Sequence, residues 1–335
     1  MKTLLISQRE VPALLPMKEC VDVMAETLRA TGRGEAVLPL RSMVWLPDRS
    51  GLLGLMPAYL GSPRALGLKV VTVMPGNHGT EYDSHQGVVL LFDVENGALL
   101  TVIDATSITA IRTAAVSGAA TRLLAREDAG DLALLGSGVQ ARTHLEAMRA
   151  VRPLRRVRVW SRDPAHARVF AEAESRRGAC PVEAVPDARA AVSGADLICT
   201  TTASREPVLQ GDWIAPGAHI NAVGACLAAA RELDTRAVVR SRLYVDLRES
   251  ALHEAGDFLI PKSEGAIRED HIVGELGEAL LGRVPGRRSP EEITLFKSLG
   301  IAVEDVAAAH VIYRTALERG AGTSLTLGGR RDPGH

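Results

Sequence analysis

The 335-residue chain is 46% hydrophobic and 24% charged, with a formal net charge of −1, a balance that supports a sizeable core and two domains rather than one. Near-neutral charge and 3% aromatic content argue against a basic field or stacking platform for nucleic acid, and against attraction to an anionic membrane. No stretch approaches the ~20 apolar residues of a membrane span.

The N-terminal apolar run is broken by Ser7, Gln8, Arg9 and Glu10, too early for a secretory signal. Cys20, Cys180, Cys199 and Cys226 are scattered, and the nine histidines show no ligand spacing. No metal site and a reducing cytoplasm are therefore expected.

In chain order, periodicity predicts a helix over 18–30 and strands over 51–59 and 66–74. Apolar runs at 87–93 and 98–103 flank Asn96-Gly97, a hairpin signal, so the first third is expected to be antiparallel β. A helix of small residues is expected to begin at Arg112 and to link two domains. Beyond it the pattern alternates: strand 131–135, helix 140–149, strand 156–160, helix 164–177 and strand 196–200. Further strands fit 218–223 and 243–245, and a long helix fits 303–318. Such alternation implies a parallel sheet with right-handed crossovers, an α/β fold of Rossmann type.

The first of these strands runs directly into Gly136-Ser137-Gly138-Val139-Gln140-Ala141. Between a strand and a helix this pattern suits a dinucleotide. Gly136 makes the tight turn, Gly138 allows close approach of a pyrophosphate, and Ala141 allows tight helix–strand packing. The second strand ends in Ser161-Arg162-Asp163. Ser161 stands where a ribose-binding carboxylate is expected, and Arg162 suits a 2′-phosphate. NADPH is thus favoured over NADH; Asp163 as ribose ligand is the alternative if the strand ends later.

Several separated motifs occur in one order: Gly54-Leu55-Met56-Pro57-Ala58-Tyr59, Leu68-Lys69-Val70-Val71, Ser84-His85-Gln86-Gly87, and Ile108-Thr109-Ala110-Ile111-Arg112-Thr113-Ala114-Ala115. Pro216-Gly217-Ala218-His219-Ile220-Asn221-Ala222-Val223-Gly224-Ala225, Gly274-Glu275-Leu276-Gly277-Glu278, and Phe296-Lys297-Ser298-Leu299-Gly300-Ile301-Ala302-Val303-Glu304-Asp305 follow. On these the chain resembles the ornithine cyclodeaminase/μ-crystallin family over all but its last ~15 residues.

The resemblance implies a mixed α/β substrate-binding and dimerisation domain, residues 1–118 with 304–320, into which a Rossmann NAD(P)-binding domain, 119–303, is inserted. The Gly-rich segment 321–335 is expected to be a disordered tail. It further implies a homodimer, substrate-carboxylate contacts from Arg41, Lys69 and Arg112, and cofactor contacts from Ser84, His85, Arg112, Val139, Gln140, Ser161, Arg162, Thr202, Val223 and Ser298. Lys69 and Arg112 are the catalytic candidates. The residues support part of this independently, because a lysine in the apolar run 65–73 needs solvent or an anionic partner. Arg112, among small apolar residues, could grip a carboxylate or phosphate in bidentate fashion.

One position departs from the cyclodeaminase pattern. Cys226 stands where that branch carries an aspartate, and a neutral thiol cannot replace a fixed anion beside a substrate ammonium. The expected function is NADPH-dependent reduction of a small carboxylate-bearing imine such as Δ1-pyrroline-2-carboxylate or Δ1-piperideine-2-carboxylate. Rival readings are an amino-acid dehydrogenase or reductive aminase of alanine dehydrogenase type, an ornithine cyclodeaminase, and an NADPH-dependent small-ligand binding protein.

Overall fold

The computed structural model describes residues 2–327 apart from His78 and Ala179. The chain forms two compact units, Met1–Arg112 with the return segment from Ile301, and Thr113–Gly300.

The first unit opens with strand β1 (Lys2–Ile6) and helices α1 (Val11–Leu14) and α2 (Met17–Gly32). It continues through β2 (Ala36–Val37), β3 (Ser42–Trp45), β4 (Leu52–Gly61), β5 (Arg64–Val73), β6 (His85–Phe92) and β7 (Leu99–Asp104). Strands β4 to β7 form the expected antiparallel meander. The Asp93 carboxylate closes the β6–β7 turn, accepting from the N–H groups of Glu95 and Asn96 at 2.8 and 3.1 Å. β1 breaks the antiparallel expectation by pairing with β7 in parallel.

Helix α3 (Ala105–Leu124) starts well before the expected Arg112, which instead lies in its interior. Its first turn is tied down by the Asp104 carboxylate, which accepts from the Ser107 N–H at 2.8 Å. An acidic residue there satisfies an otherwise orphaned helix N–H, so the β-branched residues that follow still enter the helix. The division between the units falls inside α3.

The second unit runs β8 (Asp131–Leu135), α4 (Val139–Val151), β9 (Arg156–Trp160), α5 (Pro164–Arg177), β10 (Val182–Ala184), α6 (Ala188–Val192), β11 (Leu197–Thr200) and β12 (His219–Ala222). Then follow α7 (Thr235–Val239), β13 (Ser241–Val245), α8 (Arg248–Glu254), α9 (Gly256–Ser263), β14 (Ile272–Glu275), α10 (Leu276–Leu280) and β15 (Ile293–Lys297). All pairings in this sheet are parallel, in the order β10-β9-β8-β11-β12-β15-β13-β14. Covered on both faces, its strands read as unbroken apolar runs such as Leu132 to Leu135, all fully buried. Each buried leucine contributes about 1.5–3 kcal/mol. Chain order reverses between β8 and β11, the switch point at which open α/β sheets bind ligands beyond the strands' carboxyl ends.

The chain then returns to the first unit as α11 (Ala302–Arg319), which packs on β4, β5, β6 and α2. Gly67 of β5 permits this approach, because a Cβ there would lie 2.9 Å from Val306 and 2.7 Å from the Leu90 carbonyl. The segment expected to be disordered from 321 onward instead provides β16 (Thr323–Thr326), antiparallel to β1. Free backbone groups on the edge of β1 supply the partner that composition could not reveal. The rest of that expected tail, 328–335, lies outside the described residues.

Candidate active site

Within the first unit, two buried cations meet two buried carboxylates. Lys69 projects from the middle of β5, where its cross-strand neighbours are the apolar Met56 and Val89, and is only 3% exposed. Its Nζ lies 3.2 Å from Asp305 Oδ1. Arg112 of α3 donates from Nε to the same oxygen at 2.9 Å and from a terminal nitrogen to Glu304 Oε2 at 2.7 Å. Glu304 and Asp305 occupy the first turn of α11 and are fully buried. Charges so placed persist only when paired, and this arrangement pairs both signs.

The local field sets the protonation of the group. Burial is the largest influence on Lys69 and lowers it to about 8; Asp305 opposes this, while Arg112 and Arg41 add to it. Asp305 is also desolvated, but Arg112 and Lys69 outweigh that effect and hold it below the usual carboxylate range. Arg41 directly precedes β3, half-buried. His85 opens β6, with Ser84 Oγ 3.1 Å from its Nδ1. Desolvation, then the Lys69 ammonium, pushes His85 below its ordinary value. The structure thus brings Lys69, Arg112, Arg41 and His85 into one electrostatic neighbourhood.

In the second unit the glycine loop joins β8 to α4 at the switch point. Gly136 has φ 118°, and a Cβ there would lie 2.7 Å from the Thr201 carbonyl, so the turn demands glycine. Gly138 is the α4 N-cap, carries no side-chain cap, and faces open space where a Cβ would project. Gln140 Oε1 and Ser298 Oγ are both buried without a hydrogen-bond partner. An uncapped helix start with free N–H donors and an open approach at Gly138 fit a dinucleotide pyrophosphate, while the orphaned Gln140 amide oxygen and Ser298 hydroxyl are polar groups left for other parts of a ligand. Val139, at the first helical position, is 57% exposed.

β9 ends at Trp160, followed by half-buried Ser161 and exposed Arg162. Asp163 is committed to the α5 N-cap, its carboxylate accepting from the Ala165 N–H at 2.8 Å. Thr202, Val223 and Ser298 lie just beyond β11, β12 and β15.

Beneath that rim sits a network absent from sequence reasoning. Glu232, fully buried, accepts from Thr200 Oγ at 2.8 Å, Thr202 N and Oγ at 2.6 Å each, and Gly224 N at 2.7 Å. Asp257 accepts from the N–H groups of Glu232 and Leu233 and pairs with buried Lys297 at 3.0 Å. Lys297 Nζ also donates to the Ala222 carbonyl at 3.3 Å. Burial and then Asp257 push Glu232 above its ordinary value. Cys226 is half-buried and directs Sγ to the Val223 carbonyl at 3.5 Å, so no carboxylate stands at that position. Among the described residues no cluster of metal-ligating side chains is found, and no helix is long and apolar enough to cross a membrane.

A family model described as ornithine cyclodeaminase/mu-crystallin matches residues 1–320. The chain belongs to that family. It is 44% identical over 280 residues to the ketimine reductase mu-crystallin of Mus musculus, spanning 84% of this chain and 85% of that protein. The solved Δ1-pyrroline-2-carboxylate reductase of Thermococcus litoralis, in complex with NADH and L-proline, superposes with TM-score 0.94 at 40% identity, covering 96% of this chain and all of that one. An archaeal alanine dehydrogenase dimer with bound NAD gives TM-score 0.92 at 34% identity, covering 98% of this chain and all of that one. Membership accounts for the order of motifs from Gly54 to Asp305, and the likeness to these NAD-binding enzymes establishes a Rossmann-type α/β fold.

Proposed function

We propose that the chain is an NAD(P)H-dependent oxidoreductase that reduces the C=N bond of a small, carboxylate-bearing cyclic imine of the Δ1-pyrroline-2-carboxylate or Δ1-piperideine-2-carboxylate class to the amino acid. The observation that carries this reading is the buried Lys69–Arg112 pair, a cationic seat for a substrate carboxylate in a strand and a helix that bury no other charged side chain. Arg41 adds positive charge nearby. The names of the relatives, imine reductases among them, point the same way.

A bound nicotinamide would supply the hydride. The residues' part is to bind and orient. Arg112 and Lys69 fix the carboxylate, which sets the position of the adjoining C=N carbon. A protonated imine accepts hydride and becomes the neutral amine with no further proton; if the imine arrives neutral, the Lys69 ammonium is the donor. Gly136, Gly138, Val139 and Gln140 are assigned to the pyrophosphate side, and Thr202, Val223 and Ser298 to the nicotinamide side. Ser84 and His85 remain candidate cofactor contacts of the first unit, as the family resemblance implies. Ser161 and Arg162 favour NADPH, because Asp163 is occupied as a helix cap and no other acid ends β9.

Cyclodeamination is disfavoured because a thiol, directed to the Val223 carbonyl, stands at Cys226 in place of a carboxylate. Amino-acid dehydrogenation, with the imine formed from a keto acid and ammonia, is the second reading, supported by the likeness to alanine dehydrogenase. Exposed Val37, Val44 and Leu46 at the edge of the first unit's sheet support a homodimer. A cytoplasmic setting suits four cysteines that form no disulfide among the described residues. The test is NADPH oxidation against five- and six-membered cyclic imines, pyruvate with ammonia or methylamine, and ornithine with NAD. Cyclic imines should be turned over fastest; ornithine turnover without net cofactor consumption would overturn the reading.

A further inference from the structure

Asp305 has geometry that neither the cofactor loop nor the substrate assignment uses. One of its oxygens is shared by Lys69 and Arg112, at 3.2 and 2.9 Å, and its second oxygen is buried with no hydrogen-bond partner. The residue has no exposed surface, so it lies behind the cations rather than among the atoms that meet solvent or substrate.

The surroundings leave little else to do this work. Facing the Lys69 ammonium are Asp305 from α11, Arg112 from α3, Arg41 ahead of β3 and His85 from β6. Its neighbours on β4 and β6 are Met56 and Val89. Glu304 binds Arg112, and Cys20 of α2 lies near both of these. Thus Asp305 is the carboxylate in direct contact with Lys69, opposed by two arginines.

Resting on the imine-reductase reading, we propose that Asp305 is a positioning residue: it holds Lys69 as an ammonium and locks it beside the Arg112 guanidinium, so that both face one substrate carboxylate. The two buried anions cancel the two buried cations, and the seat is then tuned for a carboxylate accompanied by a positive imine nitrogen rather than for a simple anion. Glu304 has a different part, aligning Arg112 alone.

The chain contains only five lysines, so the Lys69 side chain can be followed by nitrogen-resolved NMR and assigned with Lys69→Arg. In the wild type it should titrate near 8, where burial and Asp305 balance. In Asp305→Asn the midpoint should fall by roughly one pH unit or more, because the favourable charge is gone and both arginines remain. The alkaline limb of kcat/KM for imine reduction should move down with it, with roughly tenfold loss at pH 8 and partial recovery at pH 6. Glu304→Gln should raise KM for the imine without moving that limb.

An Asp305→Asn protein whose Lys69 midpoint stays in place, whether active or uniformly impaired at every pH, overturns the proposal. If that variant does not fold, Asp305→Glu carries the test. It keeps the charge, so the midpoint should hold near 8 while KM for the imine rises, and wild-type kinetics would contradict the positioning role. Should the wild type reduce no imine, the functional reading fails on its own, while the NMR midpoints still judge the Lys69–Asp305 coupling.

Discussion

Replacing Lys69 with methionine keeps an unbranched side chain in β5 and removes only the ammonium. Asp305 would retain Arg112 Nε at 2.9 Å, so its charge is not orphaned. The stability cost should therefore be about 1–2 kcal/mol rather than the ~3–5 kcal/mol of a broken buried pair. The catalytic cost is larger. A hydrogen bond from a charged donor to a substrate carboxylate contributes about 1.5–3 kcal/mol, which at ~1.4 kcal/mol per decade corresponds to a roughly 10- to 150-fold fall in kcat/KM. The NADPH dissociation constant should change little, since Lys69 is assigned to the substrate carboxylate and not to the cofactor. Steady-state NADPH oxidation across several cyclic imines, beside fluorescence titration of NADPH, measures both. Unchanged kcat/KM on every imine would refute the assignment of Lys69 to the carboxylate, and weakened NADPH binding alone would refute it equally.

Arg162→Ala should raise KM for NADPH roughly tenfold or more while leaving KM for NADH unaltered, because only the former carries the 2′-phosphate; equal effects on the two cofactors would remove Arg162 from that role. Glu232→Gln should lower stability by about 1–3 kcal/mol, since in either orientation the amide NH2 meets a backbone N–H that itself donates, of Thr202 or of Gly224; wild-type urea midpoints would show that the network is dispensable. Acid should destabilise the second unit through His144 and His219, buried and lowered from 6.5 to about 4 and about 3, chiefly by desolvation. Their contribution is fully present above pH 6.5 and is lost as pH falls toward those values, about 2 kcal/mol each between pH 7 and pH 5. Urea midpoints that ignore pH over this range, or a slope unaltered in His144→Asn, would contradict it.

How much of this was legible depends on how local the signal is. β8, β9 and α5 coincide with their expected bounds, because each is delimited by charge, glycine or an Asp-Pro cap within a few residues. β1, β14 and β15 carried no strand expectation: short buried strands of parallel pairing look like any apolar run, and Lys297 further disguises β15. β16 takes its meaning from the edge of β1, more than 300 residues away in sequence.

The site divides in the same way. Lys69 stood out because a charge interrupts an apolar strand, and the same logic applied to Val303-Glu304-Asp305-Val306 would have flagged its partners, although 236 residues separate Lys69 from Asp305. Carboxylates in a first helical turn are common enough to hide there. Glu232 offered no such signal: in Ala230-Arg231-Glu232-Leu233-Asp234 it reads as a solvated loop residue, and only the fold reveals four donors converging on it.

Hydride delivery to an imine carbon is reported directly by an isotope. With NADPH carrying deuterium at both nicotinamide C4 positions and Δ1-pyrroline-2-carboxylate as substrate, mass spectrometry and NMR should find one deuterium at C2 of proline for each NADPH oxidised. NADPH bound but unconsumed, with no labelled amino acid formed from this imine or its six-membered homologue, would contradict it.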